Sequence, residues 1–115
     1  MKVAQVKAYN TKDGIQVTDI QKPTIMKGRV LVKIYASCVN PFDIAVSRGA
    51  ISTLQLPMVL GSDFAGVVSA VGEGVVGFSV GNKVYGSANV LSGATGAFAE
   101  FALVLPDAIT PIPSN

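Results

Sequence analysis

Apolar and polar residues alternate along the first third of the chain in short runs. Lys2 to Tyr9 and Ile15 to Ile20 read as two strands. Asn10-Thr11-Lys12-Asp13-Gly14 joins them and is turn chemistry, which predicts a β-hairpin. Lys22-Pro23 breaks the pattern, and Lys27-Gly28 reads as a turn. Val30 to Ala36 is the next strand. Phe64 to Val71, Lys83 to Gly86 and Ala97 to Leu105 read as further strands. The last is so apolar that burial on both faces, or nearly so, is expected. Ala50 to Val59 reads as a loop, and the Pro-rich tail from Pro106 to Pro113 as extended chain.

One segment carries helix signals. Asn40 can cap, Pro41 suits the first helical position, and Asp43 sits in the first turn, where the helix dipole favours an anion. Gly49 suits the stop. A short helix over about Pro41 to Arg48 is predicted. Many short strands, frequent glycine turns and one short helix near residues 41–48 predict a mostly β (α+β) partial barrel.

Gly72-Glu73-Gly74-Val75-Val76-Gly77 spells G-x-G-x-x-G after a strand-like run. A phosphate loop of that type needs a helix to begin inside it, so that free N–H groups face the pyrophosphate. Phe78-Ser79-Val80-Gly81-Asn82-Lys83-Val84-Tyr85-Gly86 is poor helix and good turn-then-strand material. No acidic residue follows at the spacing that ribose binding requires. These glycines therefore read as a connection between two strands.

Composition narrows the chemistry. The chain has 115 residues, about one domain, and half are hydrophobic. Only 14% are charged and the mean hydropathy is +0.50, so part of the surface is expected to face a partner. No apolar run is long enough for a transmembrane helix, and the N-terminus lacks a signal-peptide core. There is no histidine and one cysteine, Cys38. That removes the usual general base, the commonest metal ligand and any intrachain disulfide. A zinc site is not expected, and a reducing, cytoplasmic setting fits. The net charge of +2 does not suggest nucleic acid. Seven of the nine basic residues precede Ile34, spread out as a solvated face of the first strands.

Several motifs then fall in one order: Val39-Asn40-Pro41-Phe42-Asp43, Leu60-Gly61-Ser62-Asp63-Phe64-Ala65-Gly66-Val67-Val68, Val71-Gly72-Glu73-Gly74-Val75, Phe78, Gly81-Asn82-Lys83-Val84, and Gly96-Ala97-Phe98-Ala99-Glu100-Phe101. In that order the whole chain, 1–115, resembles the N-terminal GroES-like catalytic domain of medium-chain dehydrogenases/reductases. It is most similar to the zinc-independent, zeta-crystallin-like quinone oxidoreductases. The resemblance implies a GroES-like partial barrel and an NAD(P)H-dependent enzyme reducing quinones or enones by hydride transfer. In zinc-dependent members a cysteine ligand matches Asn40 and a His-Glu pair matches Ser62-Asp63. All three differ here, so no metal is implied, and Cys38 is not a remnant ligand. The relay hydroxyl of zinc enzymes matches Phe42, which has none.

The asparagine of the Asn-Pro-x-Asp motif lies near the nicotinamide in the quinone-reductase group. The resemblance therefore carries a cofactor-binding role to Asn40 and its neighbour Pro41, while no catalytic residue is assigned. Asn40 is also read as a plain helix cap, and Asp43 as a structural residue of the helix start. A tyrosine common in the group is replaced at about Ala45, and Gly81-Asn82 stands for the usual Gly-Asp. The family continues into a Rossmann domain, and Ile112-Pro113-Ser114-Asn115 resembles the segment just before that crossover. The chain is thus expected to be a fragment or a reduced relative lacking the Rossmann domain. NADPH or NADH would belong to the complete enzyme, a homo-oligomer, and turnover by this chain alone is not expected. A different reading is a non-enzymatic GroES-like binding or assembly module.

Overall fold

A computed structural model describes residues 1–51 and 54–113. Two antiparallel sheets carry the fold, with one short helix packed beside the first. The first sheet contains β1 (Lys2–Val6), β2 (Ile15–Asp19) and β4 (Met58–Val59), in the order β2-β1-β4. The second contains β3 (Val30–Ser37), β5 (Asp63–Val71), β6 (Lys83–Ser87), β7 (Phe101–Val104) and β8 (Ile109–Pro111), in the order β7-β3-β5-β6-β8. The sheets form the mostly β partial barrel that the strand pattern predicts, with the GroES-like form that the resemblance implies. The helix α1 spans Pro41–Ser47.

The predicted hairpin is present, with Lys2 opposite Asp19 and Val6 opposite Ile15. Its first strand stops at Val6 rather than Tyr9. The Lys7 N–H donates to the Gly14 carbonyl at 2.7 Å and the chain turns there. Tyr9 instead packs on the apolar cluster of Val6, Val46 and Leu60, and its hydroxyl donates to the Leu54 carbonyl at 2.9 Å.

The main core lies against the larger sheet. Val30, Val32, Val68, Val84 and Val104 are fully or almost fully buried there. Valine suits these positions because its branched side chain packs well on a pleated surface. α1 has only seven residues, too few to persist alone in water, so packing must hold it. Val46 supplies that contact and is fully buried against Val6 and Leu60.

Three further expectations change. Met58 and Val59, read as loop, form β4 against Val6 and Gln5 of β1. A two-residue strand is too short to show an alternation. The rest of that loop is partly unassigned, and Ser52 and Thr53 lie outside the described residues. The run from Ala97 to Leu105 is a strand only over Phe101–Val104. Residues 97–100 divide their bonds between the sheets. The Phe98 N–H donates to the Leu60 carbonyl at 2.9 Å and its carbonyl accepts the Ala4 N–H at 2.8 Å. Glu100 donates to the Lys2 carbonyl and accepts from the Ile34 N–H. No single ladder can claim such a segment. Burial follows the expectation at Ala102, Leu103 and Val104, whereas Glu100 is exposed. The tail is not simply extended. Pro106–Ala108 form a 3-10 turn, and Ile109–Pro111 pair with β6 as an edge strand, where a proline without an N–H is tolerated. A further 3-10 turn at Val90–Ser92, capped by the Asn89 side chain, had no clear sequence signal.

The segment Gly72–Gly77 contains no helix. The Gly72 N–H is already used by the Arg29 carbonyl at 2.8 Å. A Cβ at Gly72 would overlap the Met26 carbonyl oxygen and lie 2.7 Å from that of Arg29. The glycine serves close packing against the turn at residues 26–29. This agrees with the reading of a strand connection rather than a phosphate loop.

Candidate functional site

The candidate residues come together where β3 ends, α1 begins and β5 begins. β3 and β5 pair over their length, with Ser37 opposite Phe64 and Ala36 opposite Ala65. The register shifts between Ile34 and Ala36, a bulge of the kind that re-aims a strand end. Three residues past β3, Asn40 lies over the start of β5. Along β5 Phe64 points into the core and is 5% exposed, so Asp63 points the other way.

The Asn40 amide nitrogen Nδ2 donates to Asp63 Oδ2 at 2.7 Å. Asp63 is exposed and Asn40 half-buried. A short bond to an ionised acceptor is of the stronger, charge-assisted type. Asp43, 2% exposed, lies behind this pair. Its Oδ2 accepts the Asn40 N–H at 2.9 Å and its Oδ1 accepts the Gly61 N–H at 3.1 Å. Asn40 and Asp43 have the reciprocal arrangement of a capping box. The Asn40 side chain makes no short cap bond of its own, and the Asp43 N–H goes to the Asn40 main-chain carbonyl at 2.9 Å. Asn40 is therefore the cap position by backbone, with its amide group turned to Asp63. Pro41 occupies the first helical turn and is exposed.

Of the three positions that match zinc ligands in the zinc enzymes, Asn40 and Asp63 touch. The third, Ser62, is 8% exposed and accepts a hydrogen bond from Asn89 Nδ2 at 3.3 Å. Among the described residues no three carboxylate or thiol groups lie close enough together to hold a metal ion. Phe42 packs on the Val6–Val46–Leu60 cluster, and Ala45 is exposed on α1.

A cleft of about 310 Å³ opens beside the pair, lined by Ala36, Ser37, Cys38, Asp63, Phe64 and Ala65. The thiol of Cys38 is free and exposed. Its walls are largely apolar, with the carboxylate of Asp63 as the charged group. Sequence reading did not find Asp63 as the partner of Asn40, nor this cleft. The only sequence signal was that both residues stand at positions matching ligands in the zinc enzymes. A second, almost wholly apolar cleft of about 300 Å³ lies between the first sheet and α1, lined by Val6, Ile15, Val39, Ile44, Leu60 and Phe98 among others. Ile15 and Val39 remain 55% and 66% exposed at its rim.

This architecture has known counterparts. Residues 26–114 match the alcohol dehydrogenase GroES-like domain, and the chain belongs to that family. It is 37% identical over 99 residues to the quinone oxidoreductase of Mus musculus, covering 85% of this chain and 29% of that protein. An alcohol dehydrogenase superfamily protein from Novosphingobium aromaticivorans superposes with a TM-score of 0.86 at 36% identity, over 99% of this chain and 34% of the other. Mycobacterial Rv1454c in complex with NADPH superposes with a TM-score of 0.87 at 30% identity, over 100% of this chain and 34% of the other. The relatives are oxidoreductases, other dehydrogenases included. The chain spans roughly a third of the length of these relatives. Among the described residues no helix is long and apolar enough to cross a membrane.

Proposed function

We propose that this domain is the catalytic-domain part of an NAD(P)H-dependent, zinc-independent oxidoreductase that reduces quinones or enones, with Asn40 and Pro41 against the nicotinamide. The observation that carries the reading is the Asn40–Asp63 pair, whose Asp63 lines a cleft with apolar walls. A nicotinamide ring is flat and apolar with one polar carboxamide, and these residues fit that shape. The side chains of Ala36 and Ala65 offer an apolar wall. Asn40 keeps one Nδ2 hydrogen beyond the one given to Asp63, and that N–H can donate to a carboxamide or substrate carbonyl. Pro41 has no N–H and a fixed φ, so it supplies a rigid apolar edge beside the amide.

The cofactor, when bound, supplies the hydride. The chain's own residues orient the ring, keep water from one face and hold a donor near a carbonyl oxygen. The zinc-independent part of the reading rests on the donor set, since an amide, a hydroxyl and a single carboxylate at Asn40, Ser62 and Asp63 make a weak zinc site. Gly72–Gly77 offers the cofactor's phosphates no free helix N-terminus. Those contacts belong to a Rossmann domain that works with this one, so the 115-residue chain alone binds NADPH weakly and turns nothing over.

Titration of the ¹⁵N-labelled chain with NADPH to millimolar concentration tests the reading. The amides of Ser37, Cys38, Val39, Asn40 and Asp43 should shift, and an absence of shifts there overturns it. Measurable NADPH oxidation by this chain with a quinone acceptor would contradict the predicted inactivity.

A second reading, a binding or assembly module without catalysis, is favoured by the apolar cleft at Val6, Ile15, Val39 and Ile44. Gel filtration over a range of concentrations tests it, and a monomer at every concentration counts against it.

A further inference from the structure

The hydrogen bond between Asn40 and Asp63 has a chemical direction. An ionised carboxylate can only accept, so the group of Asn40 that meets Asp63 Oδ2 at 2.7 Å must be Nδ2 and not Oδ1. An asparagine amide in solvent turns over freely between its two orientations; this one is held in one of them. The backbone of Asn40 is fixed beside it, since Asp43 Oδ2 accepts the Asn40 N–H at 2.9 Å and the Asn40 main-chain carbonyl accepts the Asp43 N–H at 2.9 Å. What remains on the Asp63 side of Asn40 is the second Nδ2 hydrogen, which is a donor.

The geometry points to Asp63 as the positioning residue of this site. It holds the Asn40 amide with the nitrogen outward, so that the site offers a carbonyl oxygen an N–H and not an acceptor. Asp63 is well placed for the task. It sits on a strand paired on both sides, with β3 and β6, and Phe64 anchors that strand in the core. Asn40 is set by the start of α1, so the pair ties together two elements 23 residues apart in the chain. Asp63 makes no other hydrogen bond within the fold through its side chain among the described residues, so its structural value elsewhere is small. This inference rests on the reading that the cofactor binds beside Asn40.

The experiment compares the wild-type chain with Asp63→Ala and Asp63→Asn by ¹H–¹⁵N spectroscopy, first without ligand and then with NADPH. Without ligand, the two Asn40 side-chain amide protons should differ widely in shift, with one slow to exchange with solvent. Asp63→Ala should collapse that difference, and Asp63→Asn, whose oxygen can still accept, should restore most of it. With NADPH, Asp63→Ala should weaken binding roughly five-fold, the effect of losing about one oriented hydrogen bond, and Asp63→Asn should recover it. Unchanged backbone amides of Val46 and Val68 would show that the fold is intact. If Asp63→Ala leaves both the Asn40 amide signals and NADPH binding as in wild type, the inference is overturned. If NADPH does not touch Asn40 in the wild-type chain, the cofactor reading falls and this role falls with it. The ligand-free signals would still report separately whether Asp63 holds the amide.

Discussion

Asp43 reaches across 18 residues of chain to accept the Gly61 N–H at 3.1 Å with Oδ1, while Oδ2 takes the Asn40 N–H at 2.9 Å. One buried carboxylate thereby ties the start of the helix to the approach of β5. It is the scaffold on which Asn40 and Asp63 meet. Asp43→Ala should leave two backbone N–H groups without their charged acceptor and destabilise the fold by about 2–3 kcal/mol. Urea unfolding followed by circular dichroism would measure it. A loss below half a kcal/mol would show that Asp43 does not act as this tie.

Gly61 is the other half of that tie. Its φ of +102° lies in the region that disfavours side chains, and a Cβ there would lie 2.7 Å from the Phe98 backbone nitrogen and ring. Gly61→Ala should cost at least about 2 kcal/mol in thermal or urea unfolding. It should also disturb the Asn40 side-chain signals, because the neighbouring Asp63 is displaced with it. Wild-type stability in this variant would argue against the close approach.

The valine core gives a graded expectation. Val68 is 1% exposed and Val76 is 85% exposed. Val68→Ala removes two buried methyl groups and should destabilise by roughly 2 kcal/mol. Val76→Ala should change stability by less than about 0.5 kcal/mol. Equal effects at the two positions would mean that the burial pattern is wrong.

Lys2 and Asp19 form an exposed ion pair at 2.6 Å across the first hairpin. The hydrogen bond to Lys2 lowers the Asp19 pKa, and the hydrogen bond to Asp19 raises that of Lys2. Asp19 therefore contributes stability above the ordinary carboxylate range, and this is lost as pH falls through its lowered value. Lys2 contributes below the ordinary lysine range, and this is lost as pH rises through its raised value. Both effects should be small and weakened by salt, because the pair is solvated. Melting temperature measured against pH should fall slightly more steeply in acid for wild type than for Lys2→Met. A steeper fall in the variant would contradict this assignment.

Local chemistry made the hairpin and the helix start readable. Turn residues between two alternating runs, and Asn40, Pro41 and Asp43 at the positions that helix ends favour, act over a few residues. The same holds for Gly72–Gly77, whose following residues cannot make the helix that a phosphate loop needs. The site was legible only in part. Asn40 and Pro41 are proposed through resemblance, but the contact with Asp63 depends on the β3–β5 register and on the bulge between Ile34 and Ala36, which no local pattern encodes. β4 and β8 are too short for a period to show. Residues 97–100 look like strand because they are apolar, yet their hydrogen bonds go to two sheets.

That division of bonds bears on how the domain comes apart. Phe98 bonds to Leu60 and Ala4, and Glu100 bonds to Lys2 and Ile34, so neither sheet can open at this seam without loosening the other. Amide exchange should therefore find one cooperative unit rather than two, with the amides of Ala4, Ile34 and Phe98 losing protection together as denaturant rises.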